Sequence, residues 1–457
     1  MKRKINILLM TAGWLACSPV FYSCKEEDPR FQDNDNPVEI TSVHLQDSRD
    51  KVRDRVVPFA RLGQLIRLEG RGFFGVKEVY INGVSTNINP TLMSDNSMIV
   101  RVPRTAPTTA AAEDVKNTIV LKKKSLTYRY NFEIRAAAPE ITRISHTLPQ
   151  AGEEITIYGT DLLDITKIIF PGSVEVTDGI VFDEKEGKWC TVTTPAGVAN
   201  EGGSILVLGA NGGAYSPAYF NCKNGVILDF DEHNNHGFWD QATRPEDLFS
   251  DVIGEGHVSQ GKYCPMIPDK YAPIFAGVPR ATEVWTTGNE NWRIQFVETN
   301  LIPADAPLEE IAFQFDIYVP EEWNNTGFIG VNIANNFSLD NQWKGEFYNY
   351  IPWLNGATKK PFKTSGWTTV SVPLNKLYKY ATDKQYTFED ILVFREQTLY
   401  KNIGLIFHNN DFTLKDITKK DADKGVEFAS SNTSVKIYVD NFRLVSLETP
   451  EYSDFPK

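Results

Sequence analysis

The sequence predicts an all-β chain: two small β-sandwiches in tandem, then a larger, jelly-roll-like sandwich. Three observations carry that reading. Short Val/Ile/Tyr/Phe runs recur, broken by Gly, Pro, Asn and Asp, while helical periodicity is scarce; this is the texture of strands joined by turns. Two segments of the first half repeat one another. From Gly225 the repeat stops, and alternating segments with long loops follow over a length suited to one large sandwich.

At the N-terminus, Lys2, Arg3 and Lys4 precede an apolar run from Ile5 to Ala16. The run is too short to span a bilayer stably and is ordered like a secretory signal peptide. No later stretch is long and apolar enough to cross. Cys17 precedes the apolar Ser18-Pro19-Val20, whereas Cys24 precedes Lys25-Glu26-Glu27-Asp28. A cysteine followed by a lysine and an acidic pair resembles the surface-export signal of lipoproteins in Gram-negative glycan-degrading bacteria. Residues 1–23 are therefore read as the cleaved signal and Cys24 as the acylated first residue; an ordinary cleaved signal with an unmodified cysteine is the other reading. Several acyl chains hold a protein on a membrane far better than one. Residues 24–37, acidic and Asn/Asp-rich, are expected to form a flexible tether.

The chain carries 47 Lys and Arg against 59 Asp and Glu, a formal −12. Removing Lys2, Arg3 and Lys4 leaves 44 against 59, or −15. That sign repels phosphate backbones and excludes nucleic acid as the partner. Cys190, Cys222 and Cys264 remain in the mature chain. A Cys190–Cys222 disulfide stays open, and no Cys-x-x-Cys or close histidine pair makes the three a zinc site.

The repeat is ungapped. Gly63-Gln-Leu-Ile-Arg-Leu-Glu-Gly70-Arg-Gly-Phe73 matches Gly152-Glu-Glu-Ile-Thr-Ile-Tyr-Gly159-Thr-Asp-Leu162, and the match runs on to Gly83 and Gly172. Each copy supplies a strand, a glycine turn, an apolar plug (Phe73, Leu162) and a second strand. This pattern resembles the IPT/TIG immunoglobulin-like domain, over residues 38–136 and 139–223. The resemblance implies spacer modules. Ala136-Ala-Ala-Pro139 marks their joint, where the proline limits bending and favours a semi-rigid stalk.

Residues 225–457 form the last domain. Val226-Ile-Leu-Asp229-Phe230-Asp231 opens a strand and Val435-Lys-Ile-Tyr438-Val-Asp440-Asn441-Phe442-Arg-Leu444 closes one. Ile311–Pro320, Phe328–Ile333, Gly366–Leu374 and Gly404–Phe407 alternate between them, as strands with one buried face should. The opening Leu-Asp-Phe-Asp, the Gly-Trp-Thr-Thr-Val-Ser-Val-Pro-Leu strand and the terminal Tyr-Val-Asp-Asn-Phe-Arg-Leu resemble β-sandwich carbohydrate-binding modules. In layout the chain resembles the surface glycan-binding lipoproteins of polysaccharide-utilisation systems, and among them those that bind xyloglucan. The resemblance implies a non-catalytic protein anchored by lipid in the outer membrane. It also implies a TonB-dependent transporter and its lid lipoprotein as functional company.

Aromatic residues supply the candidate site. A flat ring can cover the apolar C–H face of a sugar, and neighbouring Asn, Gln and Asp can meet its hydroxyls. The densest run is Trp343-Lys-Gly-Glu-Phe-Tyr348-Asn-Tyr350-Ile-Pro-Trp353. The period of two puts Tyr348 and Tyr350 on one strand face, roughly 7 Å apart, near a sugar-ring spacing. Trp343, Tyr348, Tyr350 and Trp353 are read as a platform, with core packing the other use of such rings, and Trp292, among polar neighbours, joins them. Trp239 and Trp367 read as structural, and Trp285 and Trp323 rank lower. The platform needs no charge, which suits a neutral β-glycan.

A glycoside hydrolase needs two carboxyls across the scissile bond. Glu309-Glu310 and Glu321-Glu322 are adjacent pairs whose members point apart on a strand, although Glu283, Glu290 and Glu298 lie in the aromatic region. No Gly-x-Ser-x-Gly, phosphate loop or His-Glu-x-x-His occurs. An adhesin or protein scaffold is the further alternative, since aromatic strands also build protein interfaces. No cofactor is required. By analogy with related sandwiches, Asp229, Asp231 and Asp440 are the candidate ligands of a structural Ca²⁺; His233 and His236 read as loop residues.

Overall fold

The computed structural model describes residues 28, 30, 32–34, 36–46, 54–233, 236, 261–266, 275–333, 347–413 and 425–453. They fall into two compact units, one up to Ala137 and one from Ala138. The first holds one sandwich and the second holds two.

In the first unit, Glu39–Leu45, Leu65–Arg71 and Ser97–Arg101 form one antiparallel sheet. Val84–Thr86, Glu78–Ile81, Thr118–Lys122 and Thr127–Asn131 form the other. Ile66, Leu68, Val79, Ile81, Ile119 and Leu121 are buried, as their alternation requires. The repeated glycine has a physical cause. A Cβ on Gly70 would lie 1.8 Å from the carbonyl oxygen of Glu39, and one on Gly159 would lie 1.9 Å from that of Glu140. In both copies the partner strand shifts register at that point, between Ile40 and Ser42 and between Ile141 and Arg143. The bulge pushes a carbonyl into the space a side chain would fill. Phe73 and Leu162 are fully buried plugs, as expected.

The expected flexible tether over residues 24–37 lies partly outside the described residues, and those described from Asp28 onward are bonded rather than free. The Arg30 carbonyl accepts from Gly75 N–H (2.8 Å), and Asn34 donates to the Phe74 carbonyl (2.9 Å). Lys123 Nζ donates to Asn34 Oδ1 (2.7 Å) and to the Asn36 carbonyl (2.9 Å). Lys124 and Lys77 both pair with Asp33. The chain does not float here because its polar side chains and carbonyls find partners along the edge of the sandwich.

In the second unit, Glu140–Ile144, Glu154–Thr160, Trp189–Thr193 and Val181–Phe182 face Val174–Val176, Ile165–Phe170, Leu206–Gly209 and Gly212–Tyr215. Cys190, Cys222 and Cys264 are buried free thiols, so the Cys190–Cys222 disulfide does not form. Burial pushes the Cys190 thiol up to about 12. The large sandwich stacks two antiparallel sheets. One orders Val226–Leu228, Ile437–Ser446, Ile311–Tyr318 and Thr368–Pro373, with Cys264–Met266 also on Ile437–Ser446. The other orders Val278–Trp285, Gly404–Asn409, Phe328–Asn332 and Phe347–Tyr350. Phe313, Phe315, Ile317, Phe442, Leu444, Ile329, Val331, Leu405 and Phe407 share the core. One helix, Phe388–Gln397, was not expected; Asp390 caps it by accepting from Thr387 N–H (2.9 Å).

Ile311–Tyr318 was expected to bury one face, yet all eight of its residues are buried. Its polar face, with Ala312, Gln314 and Asp316, is covered by the second Ig-like sandwich, whose core includes Ala312 and Val445. Thr369 N–H and Thr368 Oγ1 donate to the Ser145 carbonyl (2.8 and 2.6 Å). Thr147 N–H donates to Thr369 Oγ1 (2.9 Å), and Thr147 Oγ1 to Gln314 (2.9 Å). Asp316, wholly buried, accepts from Arg443 at 2.8 and 3.2 Å, and Arg443 also donates to Thr147 (2.9 Å). His146 Nε2 lies 3.4 Å from Asp316, an ion pair rather than a good hydrogen bond, and Nδ1 lies 3.4 Å from Glu153. Burial disfavours a charged His146, but Asp316 and Glu153 outweigh it and raise its pKa to about 9. Burial also opposes the charge on Asp316, yet Arg443 and His146 hold its carboxyl far below the usual range.

Candidate functional site

The tryptophans of the expected platform are core residues. Trp353 is fully buried, packs on Phe412 and Phe428 and donates its indole N–H to the Gly327 carbonyl (2.8 Å). Trp292 is 3% exposed. Phe388 stacks at 6.2 Å and 19° from its ring, and the Arg395 guanidinium lies 3.8 Å from its centroid, so no face remains for a sugar. Both assignments to the platform are corrected. Polar sequence neighbours did not imply exposure, because a tryptophan beside a helix finds its cover from residues far along the chain. Trp285, Trp323 and Trp367 are buried as well. Trp343, Trp239 and Cys24 lie outside the described residues.

Tyr348 and Tyr350 do share a face of the edge strand Phe347–Tyr350, but it is the face turned toward the other sheet. Tyr350 meets Phe315 and Phe362 edge-on, and burial raises its phenol pKa. Both rings pack partly against the core cluster. Only Tyr348 reaches the open feature beside the strand, with its phenol pKa also raised by burial.

That feature is a groove of about 1050 Å³ on the rim of the large sandwich. The edge strand forms one wall, the segment from Pro373 to Tyr386 forms the opposite wall, and Leu308-Glu309 and Leu354 close parts of it. The half-buried Tyr348, Tyr378 and Tyr386 line it, backed by Tyr380, which is itself part of the core, with Asn349, Asn375 and Gln385 among them. Backbone bonds fix the walls: Tyr378 N–H donates to the Phe347 carbonyl (2.7 Å) and Leu308 N–H to that of Tyr386 (3.0 Å). Tyr380 meets Tyr386 edge-to-face at 5.1 Å, and Lys384 Nζ lies 4.4 Å over the Tyr386 ring. The side-chain oxygen of Asn375 is buried without a partner among the described residues, an acceptor available to a hydroxyl that reaches it. Lys376 and Lys384 offset Glu309 and Asp383, so the lining is close to neutral. Tyr378, Tyr380 and Tyr386 escaped the sequence reading. Their signal was present in Tyr378-Lys-Tyr380 and Lys384-Gln-Tyr386, just before the capped helix.

Of the three carboxylates held open for catalysis, Glu283 and Glu290 have structural partners, and Glu298 is exposed. Glu283 is buried, accepts from the indole N–H of Trp285 (2.6 Å) and pairs with Arg280. Glu290 lies 3.5 Å from Arg395. The calcium set does not assemble either. Asp229 accepts from the N–H groups of Asp231 and His233 in its own turn (3.0 and 2.7 Å), Asp231 accepts from Lys262 N–H (2.8 Å), and Asp440 accepts from Asn441 N–H (2.8 Å). Among the described residues no three His, Cys, Asp or Glu side chains group at metal-binding spacing.

The antiparallel sandwich thus carries a near-neutral groove lined by tyrosines and amides. Residues 220–446 match the surface glycan-binding protein B xyloglucan binding domain. An IPT/TIG domain-containing protein of Bacteroides ovatus is 21% identical over 392 residues, covering 84% of this chain and 69% of the relative. The crystal structure of surface glycan-binding protein PbSGBP-B from Prevotella bryantii superposes with a TM-score of 0.61 at 18% identity, covering 91% of this chain and all of that one, a likeness of fold. The C-terminal sandwich is similar to that surface glycan-binding domain over residues 220–446, and non-catalytic glycan capture fits the match.

Proposed function

We propose that the chain captures xyloglucan, or a closely related neutral β-glycan, at the cell surface and holds it in the tyrosine groove. The observation that carries the ligand class is the family match over residues 220–446. The groove supplies the chemistry: Tyr rings for the C–H faces of the sugars, Asn349, Asn375 and Gln385 for hydroxyls, and a balanced charge that does not select an ionic polymer. Each contact is weak, because sugar hydroxyls pair nearly as well with water; many copies engaging one long chain give useful retention. Acylation of Cys24 would hold those copies in the outer membrane, with a TonB-dependent transporter and its lid lipoprotein as functional company.

Isothermal titration of the mature chain against xyloglucan, mixed-linkage glucan, galactomannan, xylan and starch tests the ligand class. Heat with xyloglucan or another β-glycan is expected, and heat with starch alone would refute it. Tyr378→Ala and Tyr386→Ala should each weaken binding about tenfold, roughly 1.4 kcal/mol, with Tm unchanged. Full affinity in both, with loss in Trp239→Ala or Trp343→Ala, would move the site out of the groove. Reducing ends released from xyloglucan by the purified protein would overturn the non-catalytic assignment.

A further inference from the structure

Several of the described residues between Cys24 and the first sandwich are bonded to that sandwich. Arg30, Asn34 and Asn36 bond to Gly75, Phe74 and Lys123, Asp33 takes both Lys77 and Lys124, and Arg30 reaches the Pro90 carbonyl. A Cβ on Gly75 would meet the Asn34 amide at 2.7 Å, so the sandwich surface is shaped to receive the segment. We propose that residues 28–36 are a strap that shortens the leash, so that the pole of the first Ig-like sandwich bearing Gly75, Pro90 and Lys123-Lys124 rides on the lipid surface that holds Cys24. This rests on the reading of Cys24 as acylated.

Chain length gives the scale. A free tether from Cys24 to Pro37 would extend to about 45 Å, whereas the six steps from Cys24 to Arg30 reach about 20 Å at most. The strapped pole therefore cannot rise far above the headgroups of the lipid surface.

Limited trypsinolysis of the mature chain, read by mass spectrometry, tests the strap. Cleavage after Arg30 should be at least about tenfold slower in the unaltered chain than in an Asp33→Ala, Asn34→Ala variant of the same Tm. Equal cleavage after Arg30 in the two chains overturns the strap. For the membrane half, lipidated chain labelled at Ser125→Cys is placed in phosphatidylglycerol-containing vesicles with a headgroup acceptor dye. Strong energy transfer is expected, reduced in the double variant, and equal transfer in both overturns the short leash. If a Cys24→Ala chain still takes up labelled acyl groups equally, the anchoring reading and the membrane half fall together. Protection at Arg30 would survive that result, and so would glycan binding.

Discussion

The two Ig-like sandwiches begin from one motif and receive very different attachments. The first carries the strap, held by Asp33–Lys77 and Asp33–Lys124 pairs whose side chains are 41–70% exposed. The second carries the glycan-binding sandwich, whose Arg443–Asp316 pair at 0% exposure meets Thr147 and His146 of the Ig-like sandwich. The chemistry is the same, carboxylate against cation. Water decides the difference: exposed pairs are screened and already well solvated, whereas a buried pair leaves a stranded charge when one partner goes. The motif fixes the scaffold, and burial fixes how firmly each attachment is held.

The strongest way to break this contrast is Arg443→Ala. Asp316 would remain buried without its main partner, and Thr147 would lose its bond to Arg443. A loss of about 3–5 kcal/mol is expected. Amide exchange should rise together in Trp189–Thr193 and Ile437–Ser446, because both sandwiches close on the same side chains. A rise in one alone would show that the joint does not couple them.

A comparable loss is expected within the aromatics. Trp353→Ala should cost about 3–5 kcal/mol in chemical denaturation, because it empties a site against Phe412 and Phe428 and orphans the Gly327 carbonyl. Tyr378→Ala, on the groove wall, should weaken binding while leaving the midpoint in place. The opposite pairing of effects would exchange their roles.

Much of this architecture was legible in the chain. The glycine spacing found both Ig-like sandwiches, since only a residue without a side chain fits where the bulged neighbour intrudes at Gly70 and Gly159. The closing strand Ile437–Ser446 was read from its alternation. Exposure of the aromatics was not legible. Period two correctly grouped Tyr348 with Tyr350 but could not say which side of the sheet they face. For Trp292 the cover comes from Phe388 and Arg395, roughly a hundred residues later. Nor could the alternation of Ile311–Tyr318 reveal that its polar face meets another sandwich, because a polar face reads the same against water as against a hydrogen-bonded neighbour.

A smaller effect should follow pH. His146 keeps its proton in the folded unit up to about 9, against an ordinary 6.5, so its contribution is complete below 6.5 and is lost as pH rises through 9. Asp316 runs the other way: its depressed pKa adds stability above the ordinary 3.8, lost as pH falls well below it. The Tm of the second unit should therefore decline between pH 7 and 10, and His146→Asn should flatten that decline. An unchanged slope in the variant would show that the imidazole is not charged in the folded state.

The weakest attachment gives the sharpest comparison. Lys124 and Lys77 together hold the Asp33 carboxyl down to about 2, so the strap keeps these pairs until strongly acid pH. All three side chains are in contact with water, however, and at 1 M salt the screening length shrinks to about 3 Å. Raising NaCl from 0.1 to 1 M should therefore speed trypsin cleavage after Arg30 several-fold, while exchange at Ile437–Ser446, behind Arg443 and Asp316, stays as it was. Loss of protection at both places would make the buried joint as salt-sensitive as the surface one, and loss at neither would mean that the Asn34 and Lys123 hydrogen bonds, not the ion pairs, fasten the strap.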